Sequence, residues 1–162
     1  MSDHNSNSGA GRLSDEARFR LAAIVESSED AIIGIDLTGV VTSWNKAAET
    51  LFGHTSTEIL GQPIARLMPP GQIEAEASIL DRIRGGERIV HFETERQNKA
   101  GKVIPVALTA SPILDDLGAI IGFSKIIRDV SEARRAFDEL KRREILLASV
   151  LETVPDLSLI HI

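Results

Sequence analysis

Four histidines, one adjacent pair of aspartates and a single tryptophan are the side chains of this 162-residue chain best suited to chemistry. Histidine can ligate a metal or move a proton near neutral pH. His4 stands in a polar N-terminal stretch, and His161 is next to the end. His54 follows Gly53 in a loop, and His91 lies in a run of strand period. No second ligand stands at short metal spacing from either, so both read as surface residues. Asp115-Asp116 has the form of paired acids, but Leu117-Gly118 follows, and aspartate there is turn chemistry. The chain has no cysteine. That removes disulfides, thiolate zinc sites and cysteinyl–flavin bonds, and it fits a reducing compartment. No glycine loop has the P-loop form that cradles phosphate. No catalytic constellation emerges. Trp44 either stacks on a ring or serves as packing area.

The charge pattern narrows the partners. Net charge is −6, with acids and bases interspersed. A nucleic-acid-binding domain would show a basic stripe, and the densest basic run, from Lys141 to Arg143, reads as a solvated helix face. Hydrophobic content of 43% is enough for one packed core. No apolar run approaches the ~20 residues of a membrane span, and the first residues lack the apolar segment of a secretory signal. The expectation is a cytoplasmic chain with no membrane contact in this stretch.

The elements that would position these residues follow from period and punctuation. Residues 1–12 read as a disordered polar leader. Residues 13–29 read as an amphipathic helix capped by Ser14, with Ala17, Leu21, Ile24 and Ser28 as a narrow seam. "AIIGID" and "VVTSW" are strands around the turn Leu37-Thr38-Gly39. "NKAAETLFG" is a short helix closed by Gly53. Thr55 and Glu58 have capping-box spacing. "QIEAEASILDRIRGG" is a helix expected to turn Ile73, Ala77, Leu80 and Ile83 inward. Three strands follow, "RIVHFETERQ", "KVIPVALTASPIL" and "AIIGFSKIIRDV", with Pro105 and Pro112 expected at an edge or a bulge. Five antiparallel strands with helices grouped on one face make an α+β domain over residues 30–130.

Residues 131–156 read as one long helix with Ser131 as its cap. Val130, Ala133, Phe137, Leu140, Glu144, Leu147, Leu151 and Val154 keep an unbroken 3-4 spacing, which favours a parallel two-stranded coiled coil over a helix packed on its own domain. Its one polar entry, Glu144, either loosens the coil or sets its register.

The stretch "WNKAAETLFG", the "EILGQPI" run, the "NKAGKVIPV" hairpin and the closing "RDVSE" together resemble a PAS domain over about residues 20 to 132. The resemblance implies a sensory and dimerising module with a five-stranded sheet. It is nearest to PAS domains of soluble sensor histidine kinases, including the oxygen-sensor kinases of nitrogen-fixing bacteria. It also implies a signal junction at Asp129 and Ser131, with Asp129 tying the strand end by charge-assisted hydrogen bonds. Leu21, Ala22, Glu26 and Asp30 recur at one offset as Leu147, Ala148, Glu152 and Asp156. A second PAS domain is therefore expected to begin there. Leu157 to Ile162 instead match the in-frame translation of a transposon end used in sequencing libraries. These six residues are set aside as adapter read-through.

The same resemblance tests the ligands. It places Glu76 where haem-binding members carry their iron-ligating histidine, which argues against haem held in that manner. It places Ile64 where light sensors carry a reactive cysteine, and Ile127 where they carry a flavin-binding glutamine. Adduct chemistry is thus not expected, whereas non-covalent flavin or a small apolar ligand stays open. The candidate pocket lining is Ile33, Ile35, Trp44, Ile64, Leu67, Leu80, Phe92, Leu108, Phe123 and Ile127, an apolar set that favours a filled core over a pocket for a small apolar ligand. The functional expectation is a homodimer, paired through its coiled-coil and N-terminal helices, at the front of a kinase in two-component control of transcription. The alternatives are a sensor on a cyclic-dinucleotide enzyme or transcription regulator, or a free-standing interaction module.

Overall fold

A computed structural model describes residues 6–152, with side chains described from 15 to 150. The part of the expected second-domain start beyond Glu152, the expected seam position Val154 and the stretch 157–162 expected to be adapter read-through lie outside the described residues. The order is helix α1 (Ser6–Ser27), strands β1 (Ala31–Asp36) and β2 (Val41–Trp44), helices α2 (Lys46–Phe52) and α3 (Ser56–Ile59), a 3-10 turn (Ile64–Leu67), helix α4 (Ile73–Arg84), strands β3 (Ile89–Gln97), β4 (Val103–Leu114) and β5 (Ile120–Asp129), and helix α5 (Ser131–Glu152). The sheet runs β2-β1-β5-β4-β3, antiparallel throughout. The chain divides into two units, 1–129 and 130–162.

α1 starts at Ser6, so Ser14 lies inside the helix and is not its cap, and part of the expected leader is helical. Once a helix is nucleated, each added residue gains a hydrogen bond, so small polar residues ahead of it are carried along. The short helices follow their caps. Thr55 and Glu58 form the reciprocal capping box, and Gly53 closes α2 at φ 77°, a left-handed conformation that glycine enters without a Cβ clash.

The two prolines of β4 sit where that strand has one neighbour. β4 pairs with β3 from Val103 to Ala110 and with β5 from Val106 to Leu114. Pro105 thus lies beyond the β5 pairing and Pro112 beyond the β3 pairing, as a residue without an N–H requires. In the turn after β4, the Asp115 carboxylate accepts the backbone N–H groups of Leu117 and Ala119, both at 2.9 Å. That aspartate builds a turn and leaves no acid pair.

The core lies between one sheet face and the helices. Ala31, Ile33 and Ile35 of β1 stand opposite Ile127, Lys125 and Phe123 of β5. Ile104, Val106, Leu108 and Ala110 extend this face onto β4, and all are buried. α4 covers the face in a different rotation from the expected one. Ile73 and Ala77 are exposed, while Glu76, Ile79, Leu80 and Ile83 point inward.

Candidate functional site

Nine of the ten expected lining residues share one buried cluster: Ile33, Ile35, Trp44, Ile64, Leu67, Leu80, Leu108, Phe123 and Ile127. Phe92 does not join them. It stands opposite Leu108, so its phase is right, but β3 is an edge strand and leaves it 37% exposed. Trp44 is buried, its ring centroid 5.6 Å from that of Phe52, and its Nε1 donates to the His54 carbonyl at 3.0 Å. Both ends of the indole are therefore satisfied by the chain itself, as packing would require.

The interior is not wholly apolar, contrary to the expected lining. Glu76 of α4, Arg96 of β3 and Lys125 of β5 are 5%, 2% and 0% exposed. Arg96 Nη2 donates to Glu76 Oε2 at 2.9 Å. The Lys125 ammonium contacts the other carboxylate oxygen. Arg96 Nη1 also donates to the Glu95 carbonyl at 2.8 Å. Burial pushes the Lys125 ammonium down to about 7 and the Arg96 guanidinium down to about 10. In β5, Lys125 takes the same inward phase as Phe123 and Ile127, so the sequence did carry a signal: a lysine inside an apolar alternation.

Asn45 is another buried polar residue that sequence reasoning missed. It is 2% exposed. Its Oδ1 accepts from the backbone N–H groups of Ile32 and Ala48 at 2.9 and 3.0 Å, and its Nδ2 donates to the carbonyls of Val25 and Asp30 at 2.8 and 3.0 Å. One amide thus joins the end of α1, the start of β1 and the N-terminus of α2. A third tie is bidentate. Arg128, beside the expected junction residue Asp129, donates from Nε and Nη2 to Asp30, each at 3.1 Å.

The histidines differ. His91 is exposed and adopts φ 50°. His54 is more enclosed than a surface residue: its side chain is 12% exposed and 3.8 Å from Glu58. Desolvation outweighs that carboxylate and lowers its pKa.

β5 ends at Asp129, and only Val130 separates it from the first residue of α5. Ser131 is thus inside α5 and not the residue before it. Within α5, Ala133, Phe137, Leu140, Glu144 and Leu147 are exposed, and Leu151 lies in its last turn. Ile145, Leu146 and Val150 are exposed as well, so the apolar surface broadens beyond the expected seam near the C-terminal end.

The model of the PAS fold matches residues 20–130. The chain belongs to the PAS family. This PAS domain is 29% identical over 131 residues to the signal transduction histidine-protein kinase AtoS of Escherichia coli, a match covering 81% of this chain and 21% of that protein. It is 30% identical over 126 residues to the sensor protein FixL of Bradyrhizobium diazoefficiens, covering 75% and 24%. Among solved structures, the PAS domain of a Colwellia psychrerythraea protein matches at TM-score 0.67 and 26% identity, over 72% of this chain and 98% of that one. An RNA-binding light-oxygen-voltage receptor matches at TM-score 0.67 and 18% identity, over 92% and 41%, a likeness of fold alone. The PAS chain spans 21% and 24% of these two curated relatives. Among its described residues no helix is long and apolar enough to cross a membrane.

Proposed function

We propose that this PAS domain is the sensing and dimerising module of a cytoplasmic multidomain histidine kinase. In this reading two copies pair through α5, with α1 adding to the contact. A signal shifts the balance between two arrangements of the pair, and α5 carries the difference to a downstream PAS domain and kinase core. A ligand can act only through different affinities for the two arrangements. The observation that carries the reading is the row Phe137, Leu140 and Leu147, each at least 60% exposed on a helix that starts one residue after the sheet. Apolar knobs at heptad spacing are stabilised by burial against a partner helix. Kinship supports the output: AtoS and the cell-division control histidine kinase PdhS of Brucella anthropi are named as histidine kinases.

The interior bears on the cofactor. Solved relatives of the fold include a light-oxygen-voltage domain studied with a flavin analogue. In this chain Ile64 and Ile127 are buried aliphatic residues, with neither thiol nor amide to engage a flavin. Glu76 has both oxygens committed to cations, so α4 does not fit iron ligation. We read the domain as using neither group in those ways.

Sedimentation of the 162-residue chain tests the dimer. The parent is expected to be a dimer and Leu140→Asp a monomer with unchanged sheet content by circular dichroism. A monomeric parent at micromolar concentration would overturn the reading.

A further inference from the structure

Arg96 and Lys125 come from different strands and converge on one carboxylate supplied by α4. The side chains of Arg96, Lys125 and Glu76 are 3%, 1% and 6% exposed. Two cations share one anion, so the interior holds surplus positive charge, which burial penalises. Near neutral pH Arg96, lowered only to about 10, keeps its proton. Lys125 is thus the cation left over once Arg96 and Glu76 are matched, and its burial lowers its hold on a proton. A forked guanidinium and an ammonium aimed at one point are a chemical match for a carboxylate, which accepts charge-assisted hydrogen bonds on both oxygens. A polar track leads outward from this point. Arg96 Nη1 reaches Thr94 Oγ1 at 3.4 Å, and that hydroxyl donates to Gln72 Oε1 at 3.3 Å. Thr94 and Gln72 are half-buried, and Gln72 sits at the mouth of α4.

We propose that Arg96 and Lys125 form a binding site for a small carboxylate, and that Glu76 fills it as a tethered occupant carried by α4. A free carboxylate competes with Glu76 for the two cations. When it wins, α4 loses its ionic hold on β3 and on β5, the strand that ends at Asp129. The inference rests on the sensory reading for its meaning in signalling, but its chemistry is tested apart from dimerisation.

Acetate is the end of the Glu76 side chain as a free molecule, so it is the probe. Thermal midpoints of the full chain and of Glu76→Ala are compared in sodium acetate and sodium chloride at equal ionic strength. The variant is expected to melt below the parent in chloride and to regain several degrees, saturably, in acetate. The parent is expected to melt alike in both salts at these concentrations. Adding Lys125→Met to Glu76→Ala should abolish most of the acetate effect. If Glu76→Ala responds equally to acetate and chloride, the site is refuted. Should Glu76→Ala fold in neither salt, Glu76→Ser, which also removes the carboxylate and opens the space, repeats the comparison, and equal responses again refute the site. Sedimentation of the same samples separates the two readings. Acetate rescue in a chain that never dimerises keeps the site and removes the sensory-dimer reading.

Discussion

The Glu76 carboxylate accepts a hydrogen bond from the Arg96 guanidinium at 2.9 Å inside the core, 20 residues apart in the chain. Lys125 adds a second cation to the same carboxylate. Removing the anion and removing the surplus cation should therefore have opposite consequences. Glu76→Gln strands two buried cations and is expected to cost about 3–5 kcal/mol. Lys125→Met leaves a matched pair and is expected to be neutral or stabilising. Urea unfolding of both variants checks this, and equal destabilisation would contradict the charge count.

The lysine also gives stability a pH signature. Its folded-state pKa is lowered to about 7 from an ordinary 10.5. Between those values the unfolded chain holds a proton that the folded chain has lost. Stability should then rise with pH, by at most about 1.4 kcal/mol per unit. Arg96 adds a slope of the same sign only above about 10. Unfolding free energies measured from pH 7 to 9.5 should climb in the parent and stay flatter in Lys125→Met.

Asn45 offers a test that a simple helix cap would fail. Asn45→Ala unpairs two carbonyls and two N–H groups and is expected to cost about 2–4 kcal/mol. Asn45→Asp keeps a good capping residue. It places a carboxylate against the Val25 and Asp30 carbonyls, where Nδ2 now donates. The aspartate variant should be no more stable than the alanine variant in urea. Recovery of parental stability would reduce Asn45 to a cap.

Two glycines on neighbouring strands should tolerate alanine differently. A Cβ on Gly34 would meet Ser43 Oγ, the movable end of a side chain, whereas a Cβ on Gly122 would meet the backbone oxygen of Ile35. Gly122→Ala must displace β1 from β5 and is expected to lose about 1–3 kcal/mol. Gly34→Ala should lose less. Amide exchange of β1 and β5 reports where the ladder opens.

If α5 pairs with a second copy, Glu144 weakens that pairing. A polar residue in the apolar seam specifies register at a cost in stability. Glu144→Leu should shift the monomer–dimer equilibrium toward dimer by at least tenfold in sedimentation equilibrium. A weaker dimer would place Glu144 outside the seam.

Much of this architecture was legible locally. Strand and helix periods, the Thr55–Glu58 capping box, the Asp115 turn and the burial of nine of the ten residues expected inside depend on neighbours in sequence. The rotation of α4 was not legible in that way. Ile73 and Ala77 are apolar at helical spacing, yet Glu76 takes the inward place because Arg96 and Lys125 wait on the sheet. That neutralisation joins three distant elements, and helix periodicity is blind to it. Phe92 failed for a related reason: alternation gives a side chain its face, but position in the sheet decides how deeply it is covered. Asn45 escaped notice because only the fold brings the Val25 and Asp30 carbonyls to its amide.

The bulge in β3 has a consequence for how copies of this domain can meet. The edge strands of the sheet are β2 and β3, and Val41 at the β2 border already bonds the backbone of Gly61 and Gln62. β2 has only four residues, too few to template a long ladder. β3 is longer, but its pairing register shifts between Ile89 and Phe92, and His91 takes φ 50° within that interval. An added strand would meet N–H and C=O groups turned out of line there. With Val90 exposed on the same border, a straight β3 would invite fibre-like stacking. The kink guards the chain against aggregation at its longest free edge.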